Sequence, residues 1–342
     1  MVDVTVRGAG AFGLAVAYAC AERGARVRVV DPNGAGAGSS GGLVGALAPH
    51  VPEHWNDKKA FQFEALAMGD DFWSAVARTG GRDPGYARSG RLQPVADAQA
   101  LALAEARAET ARELWQGRFR WEIVEARAEW GPVSPTGLAI HDTLTARMAP
   151  RRAVAALAAA ITALGGEIVT EAEDEGRVVW ATGAAGLTEL SAHFGKTVGV
   201  PVKGQSANLG FDARALPQVF ADGVHIVPHG DGTVAIGSTT EREFTSPDKC
   251  DAQIDAVIAR ARAAVPALAD APVIERWAGL RPRARTRAPM LGAWPGRAGH
   301  FIANGGFKIG FGIAPMVGQV MAALVLDGDD RIPGAFKVEA SL

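Results

Sequence analysis

Two stretches of the chain combine residue types and spacing that carry chemistry. GAGAFG at 8–13 sets Gly8, Gly10 and Gly13 in a GxGxxG array, and RPRARTR at 281–287 packs four arginines into seven positions. A glycine array of this kind serves a diphosphate. The first glycine makes a tight turn, the second lets backbone approach the pyrophosphate, and the third lets the following helix pack closely on its sheet, with Ala11 and Phe12 between them counted among the cofactor-binding residues. The arginine run has three possible chemistries: contact with nucleic-acid phosphates, solvation in a loop, or a single guanidinium aimed at a small carboxylate. Thirty-five Lys plus Arg stand against thirty-seven Asp plus Glu, a net charge of −2, so the run lacks the global positive field of a general nucleic-acid binder.

The flanking pattern gives the glycines a context. Val2, Val4 and Val6 alternate as a strand, Gly8 to Gly13 form a turn, and Leu14 to Arg23 read as a helix closed by Gly24. The next strand, ARVRVVD, ends on Asp31, placed to accept hydrogen bonds from an adenosine ribose. NAD and FAD share this beginning. The long segment PNGAGAGSSGGLVGALAPH that follows is dense in small residues, with Ser39 and Ser40 as donors, and suits a backbone wrapped around a large extended ligand. Leu43, Val44 and Leu47 within it call for burial and argue against a flexible linker. Further on, Arg151 to Leu164 reads as a helix, GGEIVTE as a strand, and RVVWATGAAG as a buried strand ending in Ala181, Thr182 and Gly183.

The remaining composition is that of a 342-residue globular chain with room for two domains. Cys20 and Cys250 are far apart with no metal or disulfide spacing, which fits a reducing cytoplasm; the histidines and carboxylates give no metal motif, so no metal is expected. The N-terminus reads as strand–turn–helix rather than a secretion signal, and no apolar run approaches the roughly 20 residues of a membrane span. The expected fold is α/β (α+β): a Rossmann-like dinucleotide domain from 1–53, 146–199 and 281–342, interleaved with a substrate domain from 54–145 and 200–280. The second would hold an antiparallel sheet with helices on its outer face, including helices over Asp97–Trp115 and Asp248–Val265. The aromatics Phe61, Phe63, Phe72 and Trp73 fall at helical spacing and read as core.

The C-terminal third makes a resemblance specific. WAGLRP at 277–282, PMLG at 289–292, and GGFKIGFGIAP leading into MVGQVMAALVLDG join the N-terminal array, the SSGGLVGALAPH loop, VKGQ at 202–205 and HIVPHGDGTVAIGSTTE at 225–241. With these the chain resembles the D-amino-acid oxidase superfamily of FAD-dependent amine oxidoreductases, its glycine oxidase and sarcosine oxidase members above all. The resemblance implies a GR2-type FAD domain and non-covalent FAD, with the pyrophosphate on Gly8, Gly10 and Gly13, the ribose on Asp31, phosphate on Ser39 and Ser40, and Gly183 on the returning strand. It places Val44, Gly45 and Ala46 along the flavin, and Gly306, Phe307, Lys308, Ile309, Gly310 and Phe311 over the isoalloxazine edge. Arg281 matches the arginine that holds the substrate carboxylate. The implied reaction is hydride transfer from the α-carbon of a small amine or amino acid, giving an imine that water hydrolyses, with oxygen or an electron carrier as acceptor.

Some positions depart from the family pattern. Lys308 stands where glycine oxidase has arginine, and beside the helix N-terminus it would stabilise reduced flavin. His225 stands for a tyrosine and reads either as a substrate hydrogen-bonding group or as a satisfied strand histidine. Thr286 stands for an aspartate, and Thr240 makes the presumed substrate wall more polar. His50, at the end of the flavin loop, faces either the site or the surface. EAEDEG at 171–176 replaces the apolar strand that usually meets adenine. Two other readings remain open: the flavin module of an enzyme that removes a carboxymethyl group from a tRNA wobble uridine, with arginines 283, 285 and 287 on phosphates, and a flavin-binding subunit of a hetero-oligomeric dehydrogenase. A homo-oligomer is equally compatible.

Overall fold

The computed structural model describes residues 1–342. Its first part runs β1 (Val4–Arg7), α1 (Ala11–Glu22), β2 (Val27–Val30), β3 (Ala46–Leu47), α2 (Asp57–Ala67), α3 (Gly69–Gly80), β4 (Arg91–Pro94), α4 (Ala98–Leu114), β5 (Trp121–Glu125), β6 (Leu138–Asp142) and β7 (Ala146–Arg147). There follow α5 (Pro150–Ala163), β8 (Glu167–Val169), β9 (Arg177–Trp180), α6 (Gly183–His193), β10 (Gly199–Leu209), β11 (Gln218–Ala221), β12 (Val224–Pro228) and β13 (Val234–Gly237). The last part holds α7 (Gln253–Ala264), β14 (Val273–Ala284), β15 (Met290–Ala293), β16 (His300–Asn304) and α8 (Gly310–Asp327).

Two sheets organise the chain. One has six strands in the order β15-β16-β9-β1-β2-β8, parallel except for β15 at its edge. Its strands are short apolar runs because both faces are covered. The helix after β1 starts at Ala11 rather than Leu14, so Gly13 lies inside its first turn. The cause is close packing: a Cβ on Gly13 would stand 1.9 Å from the Gly8 carbonyl oxygen. Helix α1 is buried on all sides from Ala11 to Ala21, between the sheet and α8. Helix α8 is long and apolar enough by composition to cross a membrane, yet it lies mostly buried in this core, where Gly318 allows contact with the Ala15 backbone. A cluster of 47 buried residues spans α1, α2, α3, α5 and α8.

The other sheet has eight strands, β14-β10-β13-β12-β11-β4-β6-β5. It departs from the expected all-antiparallel sheet at β4–β11, a parallel pair. Alternation divides its two faces. Ala207, Val219, Ile226 and Ile236 point at α7, whose Ile254, Val257, Ile258 and Ala261 complete a separate core of 17 buried residues. The opposite face turns to the first sheet and walls the site. Strand β10 begins at Gly199 and β14 runs on to Ala284. Helices α2 and α3, expected in the substrate half, instead pack on α8 and α5 of the other half, carrying Phe61, Phe63 and Trp73 into its core.

Candidate active site

The glycine array builds a groove of about 520 Å³. The N–H groups of a helix's first turn have no intrahelical acceptor, and here α1 presents them into the groove with no side-chain cap on Gly10. The Ala11 N–H donates to Ser40 Oγ at 2.9 Å, which draws the serine loop across the helix start. Gly8 has φ of +106° and its missing side chain leaves space for the Ala181 carbonyl, 2.4 Å from where a Cβ would be. Asp31 closes the far side, its carboxylate accepting from the Ala9 and Asn33 amides at 2.9 and 3.0 Å. Ala181, Thr182, Gly183 and Asn304 supply another wall, and Asn304 donates to the Gly183 carbonyl. In place of an apolar strand, EAEDEG forms ion pairs, Asp174 with Arg7 and Glu175 with Arg28, and of these residues Arg7 lines the groove.

Ala11, Ser39, Ser40, Trp277, Phe307 and Gly310 line both this groove and a second cavity of about 510 Å³, so the two adjoin. Val44, Gly45 and Ala46 line the cavity, with Gly45 pressed on the Met148 carbonyl, as do Lys308, Ile309 and Phe311. Gly306 lies in the groove against the Phe12 ring. The facing wall is one row of cross-strand neighbours: Trp277 pairs with Ser206, Ser206 with Gly237, Gly237 with His225, and His225 with Phe220. All five line the cavity. Period-two alternation puts Gly279 and Arg281 on the same face of β14 as Trp277.

Arg281 rests on a glycine floor. Gly204 and Gly279 pair across β10 and β14. A Cβ on Gly204 would be 1.9 Å from the Arg281 guanidinium, and one on Gly279 would be 2.5 Å from the Trp277 ring. Arg281 donates to Ser238 Oγ and to the Thr239 carbonyl at 3.2 Å, leaving its other N–H groups for a ligand. Burial pushes the guanidinium down to about 10, with Glu241 acting against that, so it stays charged at neutral pH. Thr239 is itself fixed from below: Gln205 N donates to its hydroxyl, which bonds Glu241, and Glu241 pairs with buried Lys203 at 3.3 Å.

The other candidate side chains separate. Lys308 lines the cavity with no ion-pair or hydrogen-bond partner, its pKa lowered by burial and then by Arg281. His225 lines it too; burial first, then Arg91 and Lys308, push its imidazole down to about 3, and its Nδ1 is buried without a partner. Thr240 is exposed and outside the cavity: it lies beyond the end of β13, where strict alternation no longer holds, and does not share the face that Ser238 presents. His50 is also outside; its backbone N–H and Nδ1 are tied to Gln62 Oε1. Arg283 lies on β14 rather than in a loop, with its guanidinium 6.0 Å from the Phe307 ring centre. Arg285 donates to the carbonyls of Ser341 and Leu342. Trp277, Ser206, Phe220 and Ser238 escaped the sequence reading, since only strand register aligns them; Gly204 in VKGQ and Gly279 in WAGL were the available signals.

Comparison with known proteins accords with this geometry. Residues 3–324 match the family described as DAO, FAD dependent oxidoreductase. The chain belongs to that family. It is 29% identical to glycine oxidase of Pseudomonas putida over 371 aligned positions, covering 99% of each chain. Among solved structures, glycine oxidase from Geobacillus kaustophilus superposes with a TM-score of 0.84 at 22% identity, covering 98% of both chains. Iminodiacetate oxidase from Chelativorans sp. superposes with a TM-score of 0.83 at 23% identity, again over 98% of both. The protein is an FAD-dependent oxidoreductase, and its residues fit the cofactor. The groove offers the α1 terminus, with Ser40 at its first N–H, to a diphosphate and opens directly into the cavity walled by Val44–Ala46 and Phe307–Phe311.

Proposed function

We propose that the protein oxidises the C–N bond of a small amine that carries a carboxylate, with FAD held non-covalently in the groove. The observation that carries this is Arg281: a charged guanidinium, pinned on one side by Ser238 and Thr239, faces a cavity contiguous with the dinucleotide groove. A planar guanidinium fixes a carboxylate in two parallel hydrogen bonds, which orients the α-carbon attached to it. When bound, FAD supplies the two-electron acceptor for the hydride on that carbon.

The rest of the work falls to this chain's side chains. The ionisable groups lining the cavity are Arg281, Lys308 and His225, with no carboxylate among them. Two cations lower the pKa of a bound ammonium, so the substrate amine sheds its proton to solvent and offers a neutral lone pair. His225 is neutral and adds no further positive charge. Its ring, with Phe220 at 4.6 Å between centroids, forms the apolar end of the wall and limits water beside the amine. Similarity to glycine oxidases over nearly the whole length supports the substrate class.

The test is anaerobic bleaching of the yellow holoenzyme by glycine, sarcosine or proline. Loss of flavin absorbance with a carboxylate-bearing amine, and none with the same amine lacking the carboxylate, is the expected result. A colourless protein that binds NAD, or no bleaching by any such amine, would overturn the reading. Admitting air afterwards separates an oxidase from an enzyme that needs an electron carrier.

A further inference from the structure

We infer that the cavity is built for an amine bearing two carboxylates, Arg281 holding one and Lys308 the other. The inference rests on the function proposed above and narrows its substrate class. It starts from a charge imbalance. Twenty-four residues line the cavity, and none is Asp or Glu. Arg281 and Lys308 both line it, on β14 and on the segment just before α8, and the Phe307 N–H donates to the Pro282 carbonyl, so two cations stand on neighbouring stretches of the wall.

The nearest acid does not balance them. Glu241 influences Arg281 from behind the strand, where it is already paired with Lys203 and bonded to Thr239 and Gln205. No anion partners Lys308. It forms no ion pair and no hydrogen bond, and its ammonium stands 5.7 Å from the Phe307 ring centre. Arg283 approaches the same ring from β14 and adds positive charge at that end. The Lys308 side chain is exposed to the solvent that fills the cavity, so its cost is repulsion rather than burial: two cations beside each other with no anion between them favour a ligand that brings one. One carboxylate on Arg281 satisfies one cation. A second on the same small molecule satisfies the other and offsets the repulsion between them.

His225 is compatible with this division. It lines the same cavity as a half-buried, neutral imidazole and adds no third positive charge beside the two anchored ends. A monocarboxylate substrate leaves Lys308 facing the apolar edge of its ligand.

Isosteric pairs test the inference on the FAD-loaded enzyme. Iminodiacetate against N-ethylglycine, and D-aspartate against D-2-aminobutyrate, each exchange one carboxylate for a methyl group. Anaerobic flavin reduction is expected to half-saturate roughly tenfold to a hundredfold lower with the diacid in at least one pair, the value of one charge-assisted contact. Lys308→Met is expected to collapse that ratio towards one, and Lys308→Arg to keep it. A binding readout avoids turnover: thiodiacetate should perturb the oxidised flavin spectrum at lower concentration than (ethylthio)acetate, and Lys308→Met should remove the difference. Equal half-saturation in both pairs overturns the inference, as does a Lys308→Met variant that weakens diacid and monoacid alike. If glycine, sarcosine or proline bleaches the flavin while no diacid is preferred, the inference alone falls. If no carboxylate-bearing amine bleaches it, the function proposed above falls as well.

Discussion

The groove and the cavity adjoin, yet they are made of different material. The groove is mainly backbone: the start of α1, the Gly8 turn against Ala181, and the Ser39–Gly41 turn drawn in by Ser40. The cavity is side chains, brought from β11, β12, β10 and β14 into one row by strand register. Both depend on glycine, for different reasons. In the groove the missing Cβ lets backbone touch backbone; on β10 and β14 it lets two large side chains lie flat. Substitution should therefore cost folding in the first region and chemistry in the second.

The sharpest break of that contrast is Gly13→Ala. The added Cβ would stand 1.9 Å from the Gly8 oxygen and 3.3 Å from the Ala181 side chain, so α1 has to move away from β1. Overpacking at such a site costs about 3 kcal/mol. The variant is expected to unfold at clearly lower denaturant concentration and to purify with little bound flavin. A wild-type unfolding midpoint with full flavin content would remove the distinction drawn for the groove.

Arg281→Met comes next and should act in the opposite way. Removing one side of a buried, hydrogen-bonded charge pair costs about 3 kcal/mol, roughly 150-fold in kcat/KM. The unfolding midpoint should hardly change, because Arg281 has no ion-pair partner within the protein. Stopped-flow flavin reduction should place the loss mainly in the half-saturation term. A variant with unchanged kinetics would remove Arg281 from the site. Gly204→Ala is milder and tests the floor itself. The obstacle at 1.9 Å is the end of a flexible side chain rather than backbone, so the guanidinium shifts and folding survives. A loss of about tenfold in kcat/KM with normal flavin content is expected, in line with the displacement of an orienting group. If Gly204→Ala instead loses flavin, the two regions do not differ as argued.

The same difference explains what could be read in the sequence. Glycine spacing, the alternating valines and Asp31 are local signals, and they marked the strand–turn–helix–strand run around which the groove is built. Their limits were local too: the helix starts at Ala11 because Gly13 packs on Gly8, which no periodicity reveals. The cavity was legible where one motif carried it, as with Arg281 in WAGLRP. It was not legible where register did. Ser238 faces inward and Thr240 outward, two residues apart but beyond the end of β13, where strict alternation no longer holds. His50 sat at the right place in sequence, but Gln62 from α2 holds it elsewhere. Helices α2 and α3 changed halves for a similar reason, since the apolar faces of α8 and α5 are long-range partners.

The smallest effect separates burial from catalysis at His225. Its imidazole is pushed down to about 3 in the folded protein, by burial first and then by Arg91 and Lys308, from an ordinary value of 6.5. Below pH 6.5 the unfolded chain gains a proton that the folded chain refuses. The stability tied to the neutral ring is thus complete above pH 6.5 and is lost as the pH falls towards 3, by at most about 1.4 kcal/mol per pH unit. His225→Phe removes that share, while His50 and His229, also shifted down by burial, retain theirs. Denaturant unfolding of the two proteins from pH 7 to pH 4 should give curves that converge or cross as the pH drops, the variant falling less steeply. Parallel curves would mean that His225 titrates normally and is open to water, and the apolar end of the cavity wall would have to be redrawn.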